Sequence, residues 1–338
     1  MTAALPEGPD SPTPAFADLI DLAAERLGGA VVAANDDFFA PKENLIKASR
    51  PRWREGKYTD RGKWMDGWET RRRRTPGNDW AIIKLGLGGV VRGIVVDTSY
   101  FTGNYPEEAS IDAITYDGTP STERLTSRDI FWDPLLPTVQ LKGNSLNAFL
   151  VEGLNRVTHL RLNIFPDGGV ARLRVHGEVV PSETIFRSEN ELDLGAMENG
   201  GFVVMCSDMH YGNRQNLILP GRSTHMGDGW ETKRRRGPGH DWAIVRLARR
   251  GVIHRVRLDT DHFKGNAPGR CMIEYCDAAA SFDPDTAKWH ELVPDVPLYP
   301  DAHHRWEDLT AKAATHVRLN IYPDGGVARL RLFGRVAG

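Results

Sequence analysis

The chain repeats itself, and a copied stretch of domain length has to fold twice into the same architecture. Asp66–Leu85 reads DGWETRRRRTPGNDWAIIKL and Asp228–Leu247 reads DGWETKRRRGPGHDWAIVRL, with 15 of 20 positions identical at an offset of 162. Thr158–Arg174, THLRLNIFPDGGVARLR, matches Thr315–Arg331, THVRLNIYPDGGVARLR, at 15 of 17 positions and an offset of 157. Between them lies a weaker pair, VVDTSYFTGN ending at Asn104 and RLDTDHFKGN ending at Asn266. Upstream, NDDFFAPKENLI (Asn35–Ile46) aligns with SDMHYGNRQNLI (Ser207–Ile218) at an offset of 172. Four blocks in one order describe a duplicated domain, not a solenoid of short units. The drop in offset from 172 to 162 places about ten extra residues in the first copy, around Arg52–Arg61.

Each copy reads as antiparallel β structure. Ala81–Leu85, Val90–Val96, Val157–Ile164 and Val170–Val175 are short β-branched or alternating runs, punctuated by Gly, Pro, Asn and Asp. After Val170 the alternation predicts Ala171, Leu173 and Val175 facing inward, with Arg172 and Arg174 facing outward. One helix is predicted over Phe16–Leu27, from the spacing of Leu19, Leu22, Ala23 and Leu27 and the Gly28-Gly29 stop. The fold class expected is all-β: tandem duplicated β-sandwich domains with few short helices. The expected organisation is an N-terminal tail and short helix over 1–30 and a first repeat over 31–180. A charged linker over 181–194 and a second repeat over 195–338 follow.

Composition narrows the function classes. Of the 338 residues, 40% are hydrophobic and 26% charged, which rules out global disorder. The net charge of −2 argues against a nucleic-acid partner, despite the two arginine runs. The apolar runs fall short of the roughly 20 residues a membrane span needs, and Met1–Pro14 lacks a secretory signal pattern, so a cytoplasmic chain without a membrane partner is expected. Cys206, Cys271 and Cys276 read as reduced thiols, two of them in a C-x4-C spacing that has no zinc-ribbon partner. His303-His304 would diverge on a strand. No metal ligand set and no cofactor motif is evident, although loops leave room for a carboxylate-bound divalent ion.

The Leu27-Gly-Gly lead, the Asn35–Ile46 block, and the duplicated Asp-Gly-Trp-Glu-Thr and Asn-Ile-(Phe/Tyr)-Pro-Asp-Gly-Gly-Val-Ala-Arg blocks resemble the allantoicase family over nearly the whole chain after residue 16. The resemblance implies hydrolysis of allantoate to ureidoglycolate and urea in purine catabolism. It further implies two jelly-roll repeats of galactose-binding-like type and a closed homo-oligomer, a trimer or hexamer. The competing reading is a non-catalytic tandem jelly-roll module that binds a sugar or an anionic small molecule.

Allantoate carries one carboxylate and two ureido arms on one carbon, so its cleavage needs a cationic clamp, ureido acceptors and proton carriers. Arginine clamps a carboxylate in bidentate fashion, which selects Arg72, Arg73, Arg234 and Arg235. Glu69, Asp79, Glu231 and Asp241 are the candidate proton carriers or ureido acceptors in the same blocks. Asp97, Thr98, Asp259 and Thr260 close a strand at a loop rim, and Asn104 and Asn266 end the third block; all six are candidate substrate contacts. On a strand, Glu69, Arg71 and Arg73 would share one face, and Trp68, Thr70 and Arg72 the other. Trp68 and Trp230 read as core anchors, and Asp167 and Asp324 as turn residues. His240 faces Asn78 and His262 faces Tyr100 across the duplication, so the copies are not chemically equivalent, and the two histidines make the second copy the preferred chemical site.

Overall fold

The computed structural model describes residues 14–116, 118–187, 191–278 and 281–337; most of the N-terminal segment read as signal-free lies outside them. The chain divides into two compact units, Met1–Val180 and Pro181–Gly338.

The strands of the first unit are β1 (Ile20–Asp21), β2 (Ala30–Ala34), the small hairpin β3 (Tyr58–Thr59) and β4 (Gly62–Lys63), and β5 (Trp68–Glu69). They continue as β6 (Asp79–Asp97), β7 (Glu108–Ile114), β8 (Asp133–Gln140), β9 (Leu146–Leu150), β10 (Val157–Phe165), β11 (Gly169–Val170) and β12 (Arg172–Val179). A single helical turn and a half, α1 (Thr122–Thr126), sits between β7 and β8. The second unit repeats the plan with β13 (Leu192–Asp193), β14 (Phe202–Cys206), β15 (Trp230–Glu231), β16 (Asp241–Asp259), β17 (Arg270–Cys276) and β18 (His290–Pro297). It closes with β19 (His303–Trp306), β20 (Ala313–Tyr322), β21 (Gly326–Val327) and β22 (Arg329–Val336).

One long strand organises each unit. β6 runs 19 residues, about 60 Å if it were straight, which is longer than one layer of a domain this size. Its first part, Asp79–Lys84, lies between β2 and β10 in the order β2-β6-β10-β7-β8. Its last part, Gly93–Asp97, lies between β9 and β12 in a second layer that ends at β1. The sequence reading split this strand at Gly86–Gly89; the glycines instead carry it across. A Cβ at Gly89 would lie 2.2 Å from the Glu178 carbonyl oxygen, so only glycine lets the backbones approach there. In the second unit β16 crosses in the same way, between β14 and β20 and then between β19 and β22. All these pairings are antiparallel, and the inward set alternates: Ala109, Ile111 and Ala113 of β7 are buried while their neighbours are half-buried. The result is the expected all-β duplicated sandwich.

Three local expectations change. Phe16–Leu27 is not one helix: it forms 3-10 turns at Ala15–Asp18 and Glu25–Leu27 with β1 between them, paired to β12. Leu22 and Ala23 are buried by that pairing with the sheet, which overrides the helical spacing. Leu192 and Asp193, placed in the linker, are likewise strand residues paired to β22. Arg172 does not face solvent: it is 1% exposed, and its guanidinium bonds the carboxylate of Asp66 at 3.0 Å and the carbonyls of Ser49, Asp66 and Ala171. Arg329 and Asp228 repeat this pair at 3.0 Å. These buried pairs tie the Asp-Gly-Trp turn to the last strand of each unit.

Candidate active site

The Asp-Gly-Trp-Glu-Thr turn seats its tryptophan first. Trp68 is fully buried and donates its indole N–H to the Asp36 carbonyl at 2.8 Å; Trp230 does the same to Asp208 at 2.8 Å. Alternation then leaves Glu69 half-buried on the opposite side and Thr70 buried. The strand stops at Glu69, so the two faces expected as far as Arg73 do not extend that far: Arg71 and Arg72 are both exposed.

Glu69 is bracketed by backbone, pairing with Gly169 on one side and bridging to Ala40 on the other. Its Oε1 accepts a hydrogen bond from Asn104 Nδ2 at 2.7 Å. Burial pushes its carboxyl above the usual range, and the Asn104 hydrogen bond pulls it partly back. The neighbouring Pro-Asp-Gly-Gly turn fits closely beneath: a Cβ at Gly169 would lie 1.9 Å from the Phe101 ring, and Gly168 holds φ at 142°. Asp167 of that turn accepts the Arg73 backbone N–H at 2.7 Å, so its carboxylate fixes the arginine loop. The Arg73 guanidinium pairs with Asp79 at 2.8 Å, and Asp79 also accepts from Asn35 at 2.8 Å.

Glu69, Arg72, Arg73, Asn104 and Asp167 line a cleft of about 690 Å³, with Phe39 and Tyr105 among its walls. Arg72 and Arg74 take part in no ion pair among the described residues and are exposed. The cleft thus joins a desolvated carboxyl, a side-chain amide and uncommitted cations, which is what an anionic ureido compound requires.

The second unit rebuilds the set. Glu231 Oε1 accepts from Asn266 Nδ2 at 2.5 Å, and Glu231 pairs with Gly326 and bridges to Gly212. Arg235 donates its backbone N–H to Asp324 at 2.7 Å and pairs with Asp241, which accepts from Ser207 at 3.0 Å.

Comparison with known proteins agrees with this duplicated architecture. The allantoicase repeat pattern matches residues 20–180 and 192–337. The chain belongs to the allantoicase family. It is 46% identical to an allantoicase of Dictyostelium discoideum over 318 residues, 92% of this chain and 86% of that protein. It is 47% identical to a probable allantoicase of Burkholderia mallei over 322 residues, covering 93% and 94% of the two chains. The crystal structure of the Saccharomyces cerevisiae allantoicase aligns with a TM-score of 0.79 at 38% identity, covering 93% of this chain and 92% of that one.

Other residues read from the sequence as allantoicase site candidates occupy different roles. Asp79 and Asp241 are 2% and 1% exposed and act on the arginines, not on the cleft. Thr98 and Thr260 are fully buried, and their hydroxyls donate to loop carbonyls: Thr98 to Lys142 and Ser145, Thr260 to Tyr299 at 2.7 Å and Ala302. They close the rim loops from inside, because a buried loop must satisfy its own carbonyls. Asp97 is buried, accepts the Ser99 N–H at 2.8 Å and has its carboxyl raised by burial. His240 Nε2 pairs with Asn320 Oδ1 at 3.0 Å and its ring lies 4.7 Å from that of Tyr322. His262 Nε2 meets the Ser223 carbonyl at 3.1 Å. Among the described residues neither imidazole bonds Glu231 or Arg235.

Among the described residues one set has the makings of a metal site: Asp259, Asp261 and His303, whose ligand atoms lie within 4.8 Å of one another. The spacing of the sequence does not show it, because β16 and β19 bring Asp259 opposite His303. Each ring nitrogen of His303 already meets a carboxylate, Asp259 at 2.7 Å and Asp261 at 3.1 Å, and Arg222 contacts Asp261 at 3.2 Å. The same guanidinium also lies 3.0 Å from His303 Nε2, so it shares this cluster with the two carboxylates. Sequence reasoning also passed over Asn35, Asp36 and the cleft wall of Phe39, Tyr105 and Glu107; the Asn35–Ile46 block contained three of these five without marking them.

Proposed function

We propose that this chain cleaves allantoate in the cleft of its first unit, with Glu69 as the proton carrier. The chain is an allantoicase-family hydrolase, and the reaction is hydrolysis of allantoate to ureidoglycolate and urea in purine catabolism. The observation that carries the placement is Glu69, half-buried with its carboxyl raised and held by Asn104 beside uncommitted arginines.

The roles follow from the bonds that change. The C–N bond to one ureido arm breaks, and its nitrogen must gain a proton to leave as urea. A raised carboxyl retains that proton at higher pH than an ordinary glutamate and donates it. Water supplies the new C–O bond and returns a proton to Glu69. Whether water attacks directly or adds to an iminium carbon left by departing urea, Glu69 gives one proton to the leaving nitrogen and regains one from water. Arg72 holds the substrate carboxylate, and Asn104 and Asp167 accept or donate to the ureido groups. No cofactor enters this scheme. Urea released from allantoate by purified protein, with and without added divalent metal, tests it.

The chain acts in the cytoplasm and assembles as a closed homo-oligomer, a trimer or hexamer, in this reading. Among the described residues no helix is long and apolar enough to cross a membrane. Leu150 at the end of β9 and Leu154 in the loop beyond it are 78% and 88% exposed, and among the described residues β9 pairs with β6 alone, which suits a face covered by another copy. Mass measurement in solution decides the assembly.

A further inference from the structure

We infer that the second unit holds a second binding site for the same ligand class, a small carboxylate bearing ureido groups; this rests on the reading of the first cleft.

The polar set is reproduced contact by contact. The amide-to-carboxylate hydrogen bond is 2.7 Å at Glu69 and 2.5 Å at Glu231. The arginine loop is pinned to the Pro-Asp-Gly-Gly turn at 2.7 Å in both. Exposure also repeats: Glu231 and Arg235 are half-buried, and Arg234 and Arg236 are exposed without an ion pair among the described residues. A duplicated core needs none of this, since the tryptophan, the threonine and the buried Arg329–Asp228 pair already secure the turn.

The Nε of Arg73 and the Nε of Arg235 are also both buried without a hydrogen-bond partner among the described residues, so the arginine conformation itself is reproduced in both copies.

The walls differ, and the differences favour anion binding in the second unit. Tyr105 and Glu107 of the first cleft correspond to Ala267 and Gly269, which removes an aromatic wall and a carboxylate. The positions that match the first lining carry four cations, Lys233, Arg234, Arg235 and Arg236, against two carboxylates, Glu231 and Asp324, where the first lining has four against three. Met226 approaches Asn266 Nδ2 at 3.5 Å and gives the second site an apolar edge.

N-carbamoylglycine, a carboxylate with a single ureido arm and no second arm to expel, is a suitable inert probe for calorimetry on the full chain. Two equivalents per chain are expected to bind. Arg72→Glu and Arg234→Glu, both at exposed positions, are each expected to remove one equivalent, and the double variant both. Glu231→Gln, an isosteric change, is expected to weaken the equivalent that Arg234→Glu removes. Binding of one equivalent or none overturns the inference. If Arg72→Glu removes no equivalent and leaves urea release from allantoate unchanged, the first cleft is wrongly assigned, whatever the second unit binds.

Discussion

Asn104 donates its side-chain amide to the Glu69 carboxylate at 2.7 Å. The two residues lie 35 positions apart, in blocks that a purely structural duplication has no need to keep together. The hydrogen bond favours the ionised carboxylate, yet burial outweighs it and leaves the carboxyl raised. A raised carboxyl costs stability at neutral pH, where the fold must hold it ionised or protonate it. The contribution of this group is therefore favourable below the ordinary carboxylate range and is lost as pH rises. Glu69→Gln is expected to melt at or above the wild-type temperature at pH 7, measured by differential scanning calorimetry. A clear loss of stability would show that Glu69 is structural.

Asp79 acts through Arg73. It is buried, and its loss leaves a cation without its partner and Asn35 without its acceptor. Because Arg73 retains 27% exposure, Asp79→Ala is expected to cost about 3 kcal/mol, the low end for breaking a buried pair. Urea denaturation measures this. Arg72→Met, at an exposed position, is expected to leave stability unchanged within roughly 0.5 kcal/mol and to raise KM for allantoate.

His159 and His316 are buried on equivalent strands, and burial pushes each down to about 4. The unfolded chain takes up these protons near pH 6.5, before the folded chain does. Stability that both histidines contribute above pH 6.5 is thus lost as pH falls towards 4. The melting temperature is expected to drop over this window, and less steeply in His316→Gln. An unchanged slope in that variant counts against the assignment.

The residues from Arg50 to Trp64, which include those inserted in the first copy, carry six cations and two carboxylates. Their hairpin lies against the cleft: Arg61 sits over the Phe38 ring at 5.3 Å and donates to the Phe38 carbonyl at 3.1 Å, next to the cleft residue Phe39. A basic arm at the mouth raises the local concentration of an anion. Arg54→Glu with Lys57→Glu is expected to lower kcat/KM by roughly tenfold at low salt, with kcat little changed and the difference shrinking as salt screens it. A salt-independent loss would mean that the hairpin acts by packing.

Much of this molecule is legible in its sequence because duplication marks what both copies require. Glu69, Asn104 and the arginine run stand in matched blocks, and the strands follow from alternation. What escaped reading depends on contacts between distant strands. Arg172 sits between two residues that face inward, yet it too is buried, because Asp66 waits 106 residues upstream. Asp259 meets His303 only through strand register. The helical spacing of Phe16–Leu27 is real, but β1 satisfies the edge of β12 and buries the same leucine. Thr98 and Thr260 carry the composition of a binding rim, and only burial shows that they hold the rim closed.

Urea release from allantoate by the wild-type chain and by Glu69→Gln, with both proteins shown to be folded, tests the central claim most directly. The wild type is expected to release urea, and the variant to turn over roughly 10²- to 10⁴-fold more slowly, the range for removing a general acid or base. A folded Glu69→Gln protein that releases urea at the wild-type rate would contradict the account.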